Sequence, residues 1–189
     1  MRRNLGSSST LYPMPVLIVA AYSDDGNVSA LTAAWGCIAD NNKVGICLEE
    51  SHKTTGDLIK KGAFTVSFAT SSYVKEADYL GIVSGNNVPD KFIRSGLHAT
   101  KSDKVDAPLI DEFPLALECT VESAEIVSED TVWLVGKIVD VSADESILGT
   151  DGKVDVEKLD PIIMECAHRT YMTLGKKIGD AFSIGKKLF

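Results

Sequence analysis

Ser29-Ala30-Leu31-Thr32-Ala33-Ala34-Trp35 reads as a strand of small residues, and Ser51-His52-Lys53-Thr54-Thr55-Gly56-Asp57-Leu58-Ile59 as a polar turn that opens a helix. Small side chains let a flat molecule lie against a strand. A helix N-terminus with a lysine and hydroxyls suits a phosphate, because its free amides and its dipole both face an anion. Together the two stretches suit a flat ring that carries a phosphate.

Working outward, Pro13 and Pro15 flank the entry to a first strand at 16–21, and Ser23-Asp24-Asp25-Gly26-Asn27 is a turn cluster. A hairpin into a strand over 28–37 follows from that turn. Val44 to Glu49 is a third strand, a helix runs from Thr55 to Lys61 and stops at Gly62, and Ala63 to Ala69 alternates as a strand. The segment 72–95 is more helical: Tyr73 to Ile82 has apolar residues at helical spacing, and Pro89 to Arg94 forms a short helix ended by Gly96. Leu115 to Glu122 alternates as a half-buried antiparallel strand. Thr131 to Val141 is apolar on both faces, which predicts cover on both sides. Residues 149–160 are a turn and a short helix. The tail from Tyr171 to Phe189 carries Lys176, Lys177, Lys186 and Lys187, a basic end on an acidic protein. It reads as a solvated helix end or as a contact with a cofactor or a second subunit. Residues 1–12 read as a poorly ordered or partner-bound arm, leaving 13–189 as one domain.

Six or seven strands with short interposed helices predict a mainly β, α+β fold in the form of a barrel or barrel-like sheet. Helices do not alternate regularly with strands, which argues against a doubly wound parallel fold. No Gly-x-Gly-x-x-Gly follows a strand, so a Rossmann nucleotide site has no support.

The chain has 189 residues, 44% of them apolar, and a formal charge of −8. An acidic surface argues against nucleic acid as a partner, since phosphate backbones need Lys and Arg. No apolar run approaches the roughly 20 residues that span a bilayer, and no signal-peptide core follows the basic Met1-Arg2-Arg3 start. The expectation is a cytoplasmic protein away from membranes. Cys37, Cys47, Cys119 and Cys166 lack zinc-site spacing, even with Cys166-Ala167-His168 as the closest pairing, so no metal is expected. The apolar surroundings of Cys37, Cys47 and Cys119 predict buried reduced thiols.

From about residue 13 to 180 the order of motifs resembles the flavin reductase-like family, which includes flavoredoxin and the reductase components of two-component monooxygenases. The motifs are Thr32-Ala33-Ala34-Trp35, Lys53-Thr54-Thr55, Ala63-Phe64-Thr65-Val66, Asp90-Lys91-Phe92 before Gly96-Leu97, Leu117-Glu118-Cys119, Gly136-Lys137-Ile138 and Asp151-Gly152-Lys153-Val154-Asp155. The resemblance implies a split β-barrel of the FMN-binding type, usually a homodimer with the flavin near the subunit interface. The backbone of the Thr32–Trp35 strand then meets the polar edge of the isoalloxazine, with Ala33 and Ala34 letting the ring approach. Lys53 supplies charge to the phosphate, and Ser51, Thr54 and Thr55 supply hydroxyls and amides. Ser29 stands where many relatives carry Asn, and Lys53 where many carry Arg, which replaces a bidentate contact by a point charge. Lys91 fixes a loop beside the site or touches the cofactor. Tyr171 and Lys176 are candidates to reach the flavin of the same or the other subunit.

Each site has a plainer reading. Thr32 to Trp35 also suits a core strand with a buried Trp, Lys53-Thr54-Thr55 an ordinary helix cap, and His52 a surface or capping residue. No catalytic acid or base stands out. The resemblance implies an NAD(P)H:flavin reductase passing electrons from NADH or NADPH to flavin. The alternatives are a flavoredoxin-like FMN carrier working with a redox protein, and a protein holding flavin for storage or structure.

Overall fold

Leu17 to Tyr22 becomes a strand that is buried on both faces, and the rest of the molecule is arranged around it. The computed structural model describes residues 1–188; Phe189 and the side chain of Lys187, at the end of the basic tail, lie outside it. The strand is β2 (Leu17–Tyr22), preceded by the two-residue β1 (Met14–Pro15). Leu17, Val19 and Ala21 enter one apolar core with Leu31, Ile46, Phe64 and Leu134. Val16, Ile18 and Ala20 enter a second with Ala77, Leu80 and Phe92. Alternation along one strand therefore feeds two cores.

The principal sheet adds β3 (Val28–Ala33), β4 (Gly36–Asp40), β5 (Lys43–Glu49) and β6 (Ala63–Phe68). A small hairpin follows, β7 (Ala99–Lys101) with β8 (Pro108–Ile110), and then a long one, β9 (Leu115–Ser128) with β10 (Thr131–Ala143). The seven-stranded sheet runs β3-β2-β6-β9-β10-β5-β4 and is antiparallel throughout. Its two edge strands, β3 and β4, are consecutive in the chain and separated only by Ala34 and Trp35. β4 therefore carries on the line of β3, which pairs with β2, but itself pairs with β5, and the sheet curls into a barrel around the first core. The Cys47 N–H of β5 donates to the Trp35 carbonyl at 2.8 Å and ties the seam.

Helices cover the outside. α1 (Lys53–Lys61) packs on β2 and β3, while α2 (Val74–Ile82) and α3 (Lys91–Ser95) cover β3 and the second core. α1 and α3 each end on a glycine in the left-handed region, Gly62 and Gly96. Near the C-terminus, α4 (Val156–Leu159) leads into β11 (Ile162–Glu165) and β12 (Thr170–Thr173), which form a small sheet with β1.

The mainly β split barrel agrees with the sequence, and the differences have local causes. The strand expected over 28–37 breaks at Ala34–Trp35, where the chain leaves one sheet edge for the other. α1 starts two residues earlier, at Lys53. The expected two-sided cover of 131–141 holds in part. Val132 and Leu134 are buried, but Val139 and Val141 are 48% and 49% exposed in the single chain. Cys119 is buried as expected and all four cysteines are free, yet Cys47 is only half-buried and Cys37, on edge strand β4, is exposed. The tail is not a long helix: β12 is followed by irregular chain and one 3-10 turn at Ile184–Leu188.

Gly136 shows how tightly the barrel is filled, because a Cβ there would sit 2.3 Å from Cζ of the fully buried Phe64. Gly136→Ala is expected to lower stability by about 1–3 kcal/mol in urea unfolding through overpacking. Gly56→Ala, inside α1 where a Cβ meets nothing within 4 Å, is expected to raise it by roughly 0.5–1 kcal/mol. Equal effects would show that Phe64 yields to the new methyl.

Candidate functional site

The barrel does not close completely between β3 and β5, and a cleft opens there. One lobe, about 290 Å3, runs from Thr32, Ala34 and Trp35 on one side to Cys47 and Glu49 on the other. A second, about 110 Å3, lies between the start of α1 and the end of α2, lined by Lys53, Thr54, Ser84, Gly85 and Lys91. Leu31, Thr32 and His52 line both, so the lobes join there.

The first lobe has small residues because β3 ends in Thr32-Ala33-Ala34. As an edge strand, β3 pairs on one side only, with β2. Its other side leaves backbone N–H and C=O groups for a ligand edge. Trp35 is 53% exposed beside it. The His52 Nε2 lies 3.0 Å from Glu49 at the junction.

The second lobe is cationic. α1 begins on His52, which makes no side-chain cap, so its first amides remain without intrahelical acceptors. Lys53 Nζ pairs with Asp57 one turn on, at 2.7 Å. Lys91 is 6% exposed, and its ammonium donates to the Leu80 and Val83 carbonyls at 3.0 and 2.9 Å. It thereby caps the end of α2 and keeps a third proton for a ligand. Burial first, and the neighbouring Lys53 second, lower the Lys91 pKa to about 8. Among the described residues no Asp or Glu side chain lines this lobe. Gly81 lets α2 approach β3: a Cβ there would lie 3.3 Å from the Thr32 Cβ, and the Thr32 hydroxyl donates to the Ala77 carbonyl at 2.5 Å.

Of the residues singled out in sequence, Thr32, Ala33, Ala34, Trp35, Lys53, Thr54 and Lys91 line the cleft. Ser29 stands behind it, sharing a 2.9 Å hydrogen bond with the Thr54 hydroxyl. Thr55 is buried, and its hydroxyl has no partner among the described residues. Ser51 is held by Asp130, through its amide and hydroxyl at 3.1 Å each, and its carbonyl accepts from Asn86. Tyr171 lines neither lobe; its hydroxyl donates to Asp78 of α2 at 2.8 Å, and burial with that bond raises its pKa to about 12. Sequence reasoning did not single out the wall from Gly81 to Gly85, nor Cys47, Glu49 and Thr131. The two glycines around Ser84 were the available signal. Among the described residues no three of His, Cys, Asp and Glu cluster as a metal ion would require. No helix among them is long and apolar enough to cross a membrane.

The flavin reductase like domain matches residues 8–173. The chain belongs to this family. The flavoredoxin of Desulfovibrio vulgaris (Miyazaki F) is similar at 35% identity and a TM-score of 0.92, over 98% of this chain and 100% of that one. A flavoredoxin from Methanosarcina acetivorans is similar at 28% identity and a TM-score of 0.90, over 100% of both chains. Nitrilotriacetate monooxygenase component B from Bacillus cereus shares the fold, with a TM-score of 0.80 at 21% identity over 95% of this chain and 98% of that one. An uncharacterized protein of Aeropyrum pernix is 27% identical over 127 residues, 66% of this chain and 48% of its own length. The chain thus spans about half of that curated relative.

The cleft has the chemistry to hold a phosphate monoester on a flat apolar group. Charged Lys91 favours the anion, so affinity for a phosphate monoester should be level from about pH 7, where the phosphate is a dianion, to about pH 8. Above that pH the ammonium is lost and affinity falls, by up to about tenfold per unit until the pKa of the bound form is reached. Calorimetric titration at pH 7 and 9 checks the decline. Lys91→Arg, charged throughout, is expected to abolish it.

Proposed function

We propose that the cleft binds FMN, its phosphate in the cationic lobe and its isoalloxazine beside Trp35, and that the protein is a flavoredoxin-like electron carrier. One observation carries the cofactor assignment. On a protein of charge −8, a carboxylate-free lobe with two lysines opens at an uncapped helix N-terminus into a lobe of small residues along a free strand edge. The fit extends to Gly85, whose added Cβ would lie 3.4 Å from the Lys53 side chain, so the loop is drawn close around the lysines.

Bound FMN supplies the redox chemistry, accepting electrons as a hydride or singly and passing them on. The chain's own residues do the rest. Lys53, Lys91 and the α1 amides compensate the phosphate charge, and the anion relieves the repulsion between the two lysines. Ala33 and Ala34 would let a ring lie against backbone, and the free edge of β3 would offer its N–H and C=O groups to the polar edge of that ring. The His52–Glu49 pair is close enough to the junction to set the charge near the ring. Ser29 and Thr55 support the turn from behind. Tyr171 acts by fixing α2 through Asp78.

The carrier reading is favoured over an NAD(P)H:flavin reductase by the relatives. Both solved structures above 25% identity described here are flavoredoxins, whereas the monooxygenase component shares only the fold. A redox protein is then the partner. A homodimer is also proposed, because edge strand β4 is exposed with Ile38 and lies near exposed Trp35. Such an edge is ordinarily covered. A sedimentation mass of one chain would contradict the dimer.

Lys53→Ala is expected to weaken FMN binding about tenfold or more and riboflavin binding little, since only FMN carries the phosphate. Equal losses would remove Lys53 from the phosphate site. The function itself is read from the visible spectrum under anaerobic conditions. Flavin bands should persist for minutes with NADH or NADPH and bleach rapidly with a reduced ferredoxin-type donor. Rapid bleaching by a nicotinamide would make the protein a reductase, and a colourless protein that takes up no flavin would exclude both.

A further inference from the structure

The turn that leads from β5 into α1 is gripped from two sides. Asp130 stands between β9 and β10, at the end of the long hairpin. Its carboxylate accepts from the Ser51 amide at one oxygen and from the Ser51 hydroxyl at the other, both at 3.1 Å. Its carbonyl accepts from the Glu50 amide at 3.2 Å. On the other side, the side-chain amide of Asn86 donates to the Ser51 carbonyl at 2.9 Å. Asn86 directly follows Ser84 and Gly85, which wall the cationic lobe. Ser51 is not in that wall, but the next three residues, His52, Lys53 and Thr54, are. The amide, hydroxyl and carbonyl of Ser51 are therefore all engaged in holding the turn. Two positions on, α1 begins, its first amides without intrahelical acceptors and His52 giving no side-chain cap. No side chain of the turn aims those amides, so their direction follows from the packing of α1 and from what holds Ser51. The sign of the Asp130 charge is the notable point. By charge alone, a carboxylate beside an anion site weakens it. By geometry, this one strengthens it.

We infer that Asp130 is a positioning residue for the phosphate lobe: by taking both donors of Ser51 it fixes the turn so that Lys53 and the α1 amides converge on the anion. The inference rests on the proposed FMN reading and adds to that site a residue 79 positions along the chain from Ser51. Asn86 acts in the same way from the opposite side, and the two make one clamp. Donors that are already aimed need no ordering when the anion arrives, which is where the affinity comes from. Two side chains that hold one turn act as a unit, so their effects do not add. The role needs the two hydrogen bonds and not the charge. An asparagine at 130 can accept from the Ser51 amide through its oxygen and donate to the Ser51 hydroxyl through its nitrogen.

The test is a titration of the flavin-free full chain with FMN and with riboflavin, read by the quenching of flavin fluorescence. Asp130→Ala is expected to weaken FMN at least about fivefold and riboflavin less than about twofold, since riboflavin lacks the phosphate. Asp130→Asn is expected to bind FMN as tightly as wild type or more tightly, because the bonds remain and a negative charge is gone. Asn86→Ala is expected to show the same FMN-selective loss, and the double alanine variant to lose less than the product of the two single losses. The Glu50 amide bonds the main chain of residue 130, so the hairpin stays attached in Asp130→Ala, and Asn86→Ala gives a second reading if that variant fails to fold. Asp130→Ala binding FMN as wild type does would overturn the proposal, as would tighter binding, which is what charge repulsion alone predicts. Equal losses of FMN and riboflavin, or Asp130→Asn behaving like Asp130→Ala, would overturn it as well. Wild type that binds FMN and riboflavin equally would overturn the phosphate-lobe reading and this role with it. A wild-type preference for FMN that Asp130→Ala leaves intact would overturn this role alone.

Discussion

The link Ala34–Trp35 is the constraint on which the rest of the structure depends. Two residues join opposite edges of a seven-stranded sheet, and a fully extended dipeptide spans only about 7 Å. The sheet therefore has to curl until its edges meet. Cys47 fixes the meeting by donating to the Trp35 carbonyl. Beyond that bond β3 and β5 diverge, because β3 stays with β2 under α1 and α2 while β5 follows β10. The gap that remains is the cleft. Its small residues, its free strand edge and the exposed indole all follow from being where a barrel stops closing.

Charge completes the site. A chain with eight excess negative charges places two lysines in one lobe without an acidic neighbour in the lining, and buries one of them. Burying an ammonium is unfavourable unless its protons are used. Lys91 meets that condition by bonding two carbonyls at the end of α2 and retaining one donor. The depressed pKa and the capping role are therefore two consequences of one placement: the helix end holds the lysine beside the lobe, and an anion arriving there lowers the cost of keeping it charged.

What could be read from sequence was local. The Lys53-Thr54-Thr55 turn, the Gly62 and Gly96 stops and the alternation of 63–68 depend on near neighbours and emerged at nearly the expected bounds. The order of strands and short helices pointed to a barrel-like sheet, and the family resemblance supplied its split form. What stayed hidden depends on distant partners. Nothing in Thr32-Ala33-Ala34-Trp35 distinguishes a continuing strand from one that crosses a seam, since small residues suit both. Ser51 looks free to bond a ligand until Asp130 arrives across 79 residues to take its amide and hydroxyl. Tyr171 is likewise drawn to Asp78, 93 residues away. The 81–85 wall carries little side-chain chemistry of its own and becomes part of the site only because α2 ends against Thr32.

The central claim is that the open seam of the barrel is the flavin site, and amide chemical-shift mapping of the 15N-labelled chain titrated with FMN tests it most directly. The account predicts shifts concentrated at residues 31–35, 47–55 and 80–85, on both sides of the seam, with the β7–β8 hairpin unmoved. Shifts centred on the β7–β8 hairpin or on the outer surface of α3, with the seam unchanged, would contradict it.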